Sequence, residues 1–403
     1  MTIISGSHIL LGVTGSIAAY KAADLASRLT QQGAMVDVLL TTGAEKFVTP
    51  LTFQSVSGRK AYCDVDLWGG EAHILHVGLG HKADLLVIAP CTANTLAKLA
   101  HGQADNLLTI TALAMNGLIL VAPAMDAGMY EHPATCDNVR ILRERGILFA
   151  GPGEGRMASG LTGKGRLLEP QEIVGHIRLA LGRTGALAGK HLVVTAGGSQ
   201  EPIDPVRFIS NRSSGKQGYA LAQAALDAGA RVTLVTHPTA LQAPVGARLV
   251  HVGNAQAMLD AVLDACQQAD ALVMAAAVAD FCVKHVSPQK LKKRDGIPAL
   301  ELTAAPDVLG SVAQSRGSLK NLKVVVGFAA ESRDLVENAA AKLASKKLNF
   351  IAANDISASD AGFAVDTNRI TLIYADGRVV PLPFMGKDEV AQIIIERVAA
   401  LLE

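Results

Sequence analysis

Between Thr195 and Lys216 the chain reads Thr-Ala-Gly-Gly-Ser-Gln-Glu-Pro-Ile-Asp-Pro-Val-Arg-Phe-Ile-Ser-Asn-Arg-Ser-Ser-Gly-Lys. Gly197, Gly198 and Gly215 let backbone amides approach an anion closely, and Ser213, Ser214 and Lys216 open a helix whose positive end favours phosphate. The pattern suits a polyphosphate cradle. Asp204, Arg207, Asn211 and Arg212 add charged and amide groups that a plain turn does not need, and long ordered loops in compact domains are usually functional. Neither GxxxxGK[ST] nor GxGxxG is present, which argues against a standard nucleotide hydrolase or dinucleotide site.

A second set of residues lies in the first half. Gly15-Ser16, Thr41-Thr42, Thr92 to Thr95 and Met125-Asp126 each follow an apolar run that reads as a strand. Ligands of open α/β sheets bind outside the carboxyl ends of the strands, so these groups converge on one crevice. Small hydroxyls and a helix start suit one phosphate and the polar edge of a flat ring. Flavin mononucleotide (FMN) fits such a site. His73, His76 and His81 lack the carboxylate-backed spacing of a metal motif. Lys290, Lys292, Lys293 and Arg294 form a basic run with Pro and Gly neighbours at 288, 296 and 298, as a mobile loop requires. Pro306-Asp307 begins a helix with a free amino-terminal turn. Lys342 and Lys346, four residues apart, share a helix face.

The elements that hold these groups repeat. His8 to Val13, a helix to Gln32 and a strand from Met35 to Leu40 form a strand, crossover helix and parallel strand; His191 to Thr195, a helix from Gln217 to Asp227 and Arg231 to Val235 form another. Further strands are expected at 85–89, 118–121, 147–150, 248–252, 271–279, 324–326, 349–353 and 369–374, with helices at 254–267 and 387–402. The reading is α/β with two doubly wound, Rossmann-like domains. Their bounds are 1–182 and 191–403, joined by a linker at 183–190. Gly151 to Gly165, with six glycines, reads as a flap. The Leu- and Ala-rich segment 96–119 suits either core or interface.

At 403 residues the chain can bury two cores, and a net charge of +1 gives no bulk attraction to nucleic acid or membrane. Five cysteines without CxxC spacing fit a reducing cytoplasm. No stretch reaches about 18 uninterrupted apolar residues, and the first apolar run is a strand rather than a signal peptide.

Gly15-Ser-Ile-Ala-Ala-Tyr-Lys21, His76 followed by Ala83-Asp84, Ala89-Pro-Cys-Thr-Ala-Asn-Thr95, Ala104-Asp105 and Pro123-Ala-Met125 resemble the homo-oligomeric flavin-containing cysteine decarboxylases. Glu201 to Gly215, Ala275-Ala-Ala-Val-Ala-Asp280 and Lys290-Leu-Lys-Lys293 resemble phosphopantothenate-cysteine ligase. In this order, over nearly the whole chain, they resemble the bacterial bifunctional enzymes of coenzyme A synthesis. The resemblance implies that Gly15, Ser16, Thr41, Thr92, Ala93, Asn94 and Thr95 hold FMN and that His76 is catalytic, either holding the substrate carboxylate or handling the thiol proton. In the ligase half it implies nucleotide or substrate contacts for Arg207, Asp280, Pro306, Asp307, Val308, Leu309, Phe328, Lys342 and Lys346. Lys290 becomes the key cation, Asn211 orients the acyl phosphate, and Asp307 meets Mg2+. The small-molecule substrates are 4'-phosphopantothenate, L-cysteine and CTP, although no residue separates CTP from ATP.

Two departures stand out. The family's frequent Pro-x-Met-Asn is Pro123-Ala-Met-Asp126 here, which places a charge near the substrate unless the carboxyl is protonated or turned toward a donor. Ser159 stands where many members carry a proton-donating cysteine. The product then depends on Asp126, another acid or water for that proton. An alternative reading keeps the ligase and makes the flavin domain vestigial or regulatory. The resemblance also implies a homo-oligomer, with trimers of the flavin half sharing FMN sites and dimers of the ligase half, giving a dodecamer.

Overall fold

The computed structural model describes residues 2–68, 74–156, 160–331, 333–355 and 366–403. The chain divides into two compact units, Met1–Gly182 and Arg183–Glu403.

The first unit runs β1 (His8–Val13), α1 (Tyr20–Gln31), β2 (Met35–Leu40), α2 (Pro50–Ser57), β3 (Ala61–Cys63), α3 (Leu75–Lys82), β4 (Leu85–Cys91), α4 (Ala93–His101), α5 (Leu107–Leu113), β5 (Leu118–Pro123), α6 (Ala127–Glu131), α7 (Pro133–Glu144), β6 (Leu148–Phe149), β7 (Gly153–Arg156), β8 (Thr162–Arg166) and α8 (Pro170–Gly182). Six strands form a parallel sheet in the order β3-β2-β1-β4-β5-β6. Both faces are covered, so the central strands are apolar without alternation. Ile9, Leu11 and Val13 face one core, while Leu10, Leu39, Leu86 and Ile88 face the other. Leu96, Leu107 and Leu108 of the 96–119 segment are buried in that second core, whereas Leu113 is exposed.

The second unit runs β9 (His191–Ala196), β10 (Gln200–Pro202), β11 (Phe208–Ser210), α9 (Lys216–Asp227), β12 (Arg231–Thr236), β13 (Arg248–His251), α10 (Ala255–Cys266), β14 (Ala271–Met274), β15 (Phe281–Val283), β16 (Leu302–Ala304), α11 (Val308–Ser315), β17 (Val324–Glu331), α12 (Leu335–Ser345), β18 (Phe350–Asp355), β19 (Thr367–Asn368), β20 (Ile370–Tyr374), β21 (Val379–Pro381), β22 (Met385–Gly386) and α13 (Lys387–Leu402). Its sheet order is β13-β12-β9-β14-β17-β18-β20-β21, parallel until β20 and β21 join antiparallel. The flap and the loop read from sequence hold antiparallel strand pairs, β7 with β8 and β10 with β11, and β15 pairs antiparallel with β16 on either side of the Lys290 run. Segment 183–190, expected as a linker, packs on the second unit. Leu187 is buried, and its amide donates to Ala228 O at 2.8 Å.

The sequence repeat is also a repeat of hydrogen bonds. His8 N donates to Asp84 Oδ2 at 2.8 Å, and His191 N donates to Asp270 Oδ2 at 2.8 Å. In both units the order of strands reverses beside this first strand, between β1 and β4 and between β9 and β14. Such switch points leave a crevice at the carboxyl ends.

The repeats differ in what the histidine meets. His8 Nε2 lies 2.6 Å from Asp37 Oδ2, and Arg59 donates to both oxygens of Asp37 at 2.8 and 2.9 Å. Burial pushes the Asp37 carboxyl up, but the Arg59 guanidinium and then His8 outweigh it and hold it below its ordinary 3.8. A depressed folded pKa gives stability that is present above the unfolded value and lost as pH falls through the folded one. Asp37→Asn is therefore expected to destabilise the first unit by roughly 2–3 kcal/mol at neutral pH, since Arg59 stays partly solvated. Denaturant titrations check this. The difference from the parent protein should shrink below about pH 4, where the parent loses the same charge.

Candidate active sites

The loops after β1, β2 and β4 enclose a cavity of about 610 Å3 in the first unit, lined by Gly15, Ser16, Thr41 and Thr92 to Thr95, with Ala124 and Met125 closing one side. Buried Thr14 ties two of those loops together, donating to Pro90 O at 2.7 Å and accepting from Thr92 N at 3.2 Å. Ser16 and Thr92 are N-caps. Ser16 Oγ accepts from Ala18 N and Thr92 Oγ1 from Thr95 N, which turns the first amides of each helix toward the crevice. At Gly15 an added Cβ would lie 2.9 Å from Gly43 C, so only glycine lets the two loops meet. Asp105, part of the Ala104-Asp105 motif, lines the cavity too, with Asp64 and Lys98, which sequence reasoning passed over. Asp64 accepts from Thr42 N and Oγ1 and from Leu107 N, joining three segments of the wall.

Two expected residues, His76 and Asp126, do not line this cavity. His76 sits on α3 and is not among the lining residues, its Nδ1 buried and without a partner among the described residues. Asp126 caps α6, its Oδ1 accepting from Gly128 N at 3.0 Å, which turns the charge toward a donor. Ser159 lies outside the described residues, as does His73. The β7–β8 hairpin meets the adjoining loop where Met125 N donates to Gly165 O at 2.9 Å.

In the second unit a cavity of about 750 Å3 lies over the carboxyl ends of β14, β17 and β18. Asn211, Asp280, Pro306, Asp307, Val308, Leu309, Phe328, Lys342 and Lys346 line it together. Asn211 Nδ2 reaches Ala277 O at 3.3 Å and Val278 O at 3.1 Å, fastening the loop to the turn after β14. Asp307 caps α11 through Gly310 N at 2.9 Å and pairs with Lys346. Burial pushes the Asp307 carboxyl up, yet Lys346, the Gly310 amide and Lys342 hold it below the ordinary range. Lys342 donates to Phe328 O at 3.0 Å, and burial pulls its ammonium pKa down against the nearby carboxylates Glu331, Asp280 and Asp307. The two lysines are four apart but serve different partners. A half-buried ammonium ready to trade a carbonyl for a phosphate oxygen suits a nucleotide site.

Arg207 and Lys290 do not line the cavity. Arg207 donates to Leu291 O at 3.0 Å and lies 3.4 Å from buried Asp204, which also accepts from Leu291 N at 3.2 Å. Together they anchor the segment that carries Lys290. Sequence reasoning also passed over Gln217, Asn354, Asn368 and Lys387 in the wall. Asn354 is the last residue but one of β18, at the strand end where open sheets place ligand contacts.

Two family models cover the chain: Flavoprotein over residues 2–182 and DNA/pantothenate metabolism flavoprotein C-terminal domain over residues 187–402. The coenzyme A biosynthesis bifunctional protein CoaBC of Bacillus subtilis (strain 168) is 44% identical over 401 residues, which span 99% of this chain and 98% of that one. The chain belongs to the CoaBC family. The CoaBC of Vibrio vulnificus (strain CMCP6) is 41% identical over the full length of both chains, and that of Mycobacterium tuberculosis (strain ATCC 25618 / H37Rv) is 44% identical over 98% of this chain and 97% of its own. As a CoaBC protein it carries phosphopantothenate-cysteine ligase and phosphopantothenoylcysteine decarboxylase activities in coenzyme A biosynthesis. Its first unit is a flavoprotein domain. Among the described residues no helix is long and apolar enough to cross a membrane.

Proposed function

We propose that the second unit activates 4'-phosphopantothenate with CTP. The carboxylate attacks the α-phosphate and pyrophosphate leaves; the cysteine amine then displaces CMP from the acyl cytidylate. Two steps replace a poor leaving group with a good one. The observation that carries this reading is the convergence of Asn211, Asp280, Asp307, Phe328, Lys342 and Lys346 on one cavity. Lys342, Lys346 and the start of α11 hold phosphates, Phe328 and Asp280 meet the nucleoside, and Asn211 orients the acyl phosphate. Lys290 joins when its loop closes, and Arg207 acts by anchoring that loop. Of the three carboxylates that line the cavity, Asp280, Asp307 and Glu331, Asp307 is the one that would meet Mg2+, which enters with the nucleotide and keeps most of its shell from phosphate and water. Asp307 is held by Gly310 N and Lys346, so it serves the metal only when Lys346 turns to phosphate.

The first unit holds FMN in the Gly15 cradle, with Ser16, Thr41 and Thr92 to Thr95 around its phosphate and ring edge. Bound flavin would supply the oxidant that turns the substrate thiol into a thiocarbonyl, which can take up the electron pair that carbon dioxide leaves behind. His76 holds that carboxylate or moves the thiol proton, and it reaches the cofactor from a neighbouring copy in a trimer of this unit. Leu51, Val65 and Trp68, between 69% and 87% exposed, supply an apolar surface for such contacts. Dimers of the second unit complete a dodecamer in the cytoplasm. Asp126 and Ser159 remain the candidates for re-protonating the enethiol.

Mass spectrometry of the products from phosphopantothenate, cysteine, CTP and Mg2+ tests this directly. Accumulation of 4'-phosphopantetheine, with a cytidylate intermediate trapped when cysteine is omitted, is the expected result. Equal turnover with ATP would remove the CTP assignment, and an enethiol product would remove Asp126 and Ser159 as proton donors.

A further inference from the structure

The second-unit cavity has two arms. Val325, Ala329, Ile351 and Ala353 face the core shared with α10, α11 and α12. Alternation therefore sends Asn354 to the opposite face of the sheet. Asn368 also belongs there: it pairs in register with Met385 just before α13, and its Nδ2 donates to Gln217 Oε1 of α9 at 2.8 Å. The Asp307, Lys342 and Lys346 arm suits the nucleotide. The arm toward α9 and α13 has no assigned occupant.

Asn354 is 9% exposed and Asn368 3% exposed, and both line the cavity. The carbonyl oxygen of each is shielded from water and has no partner among the described residues. A buried acceptor left unpaired is costly, which makes such an atom a candidate ligand contact. The orientation of Asn368 follows from a relay. Gln217 Nε2 donates to Lys387 O at 3.1 Å, and a backbone carbonyl only accepts. Gln217 must therefore turn Oε1 to Asn368, and Asn368 must turn Nδ2 to Gln217. What Asn368 keeps for a ligand is an acceptor.

We propose that Asn368, with Asn354 beside it, accepts a hydrogen bond from the hydroxyl or amide N–H of 4'-phosphopantothenate and so selects the acyl substrate. The chemistry of the arm matches that molecule from end to end. Lys216 and Lys387 line the same arm, next to acceptors for a neutral donor, and Lys216, which pairs with Asp366 at 2.6 Å, serves an anionic terminus by exchanging that carboxylate for the ligand's charge. The assignment rests on the nucleotide occupying the Asp307 arm.

The test uses the full chain. Asn368→Ala and Asn354→Ala are expected to raise KM for phosphopantothenate roughly tenfold while KM for CTP and cysteine stays within about twofold. A rise in KM for CTP instead, or a fall in kcat with every KM unchanged, overturns the proposal. A wild-type measurement covers the case in which the variants do not fold. Phosphopantothenate analogues lacking the hydroxyl or bearing an N-methyl amide compete for the enzyme, and one of them must bind at least about tenfold more weakly than the parent. Equal binding of both analogues overturns the proposal. Lys342→Met tests the underlying reading separately: if KM for CTP does not respond to it, the placement of the nucleotide fails, whatever the asparagines do.

Discussion

Asn211→Ala should slow formation of phosphopantothenoylcysteine by about 10²–10³ while pyrophosphate release continues for one turnover. The asymmetry follows from where the side chain sits. Its amide nitrogen bonds Ala277 O and Val278 O, so Asn211 is fixed to the turn that ends at Asp280, in the middle of the cavity. One amide N–H that exchanges a backbone carbonyl for the acyl oxygen after activation meets the negative charge that grows there under attack by the amine. Activation itself draws on Lys342, Lys346 and the start of α11, which the substitution leaves alone. Rapid quenching followed by mass spectrometry should show one equivalent of acyl cytidylate that decays slowly with added cysteine. Asn211→Asp tests the geometry from the other side. A carboxylate facing two carbonyls is repelled from its seat, so it should be no better than alanine. If pyrophosphate release falls as far as product formation in either variant, Asn211 serves the first step and its assignment to the second is wrong.

The sequence shows the scaffold more fully than it shows the sites. Apolar runs such as His8–Val13 and His191–Ala196 announce buried parallel strands, and the loops that follow them carry most of the cavity walls. The α9 helix begins where Ser-Ser-Gly-Lys places it, and α13 spans Lys387–Leu402. The strand pairs outside the main sheets are less legible because β10 and β11 are three residues each, with Pro202 ending the first and Pro205 between them. Side-chain destinations are least legible of all. Arg207 reads as a substrate clamp but bonds Leu291 O, 84 residues along. Asp126 reads as a charge in the substrate's path but caps its own helix. His76 has a motif yet does not line the cavity within one chain. The Gln217, Asn368 and Lys387 relay joins positions 151 and 170 residues apart, and no local pattern marks it.

Gly15→Ala should yield a protein that ligates but does not decarboxylate. The methyl group would sit 2.9 Å from Gly43 C and 3.0 Å from Gly43 Cα and O, all backbone atoms that no rotamer change can move. The loops after β1 and β2 must then part, and both line the cavity where flavin is proposed to bind. Overpacking of this kind costs roughly 1–3 kcal/mol, which corresponds to about a tenfold to hundredfold loss of flavin affinity if the strain is relieved when the cofactor leaves. The purified variant should be pale, with flavin released on gel filtration, and phosphopantothenoylcysteine should accumulate. Ligation should persist because its cavity is built wholly within residues 211–387 of the second unit. Gly128→Ala is the matched control. It too neighbours the site, but its added methyl meets only Asp126 Oδ1 at 3.6 Å, an ordinary contact. A fully yellow, decarboxylating Gly15→Ala protein would mean that the cofactor does not depend on the close approach of those two loops, and the proposed seat for its phosphate would have to move.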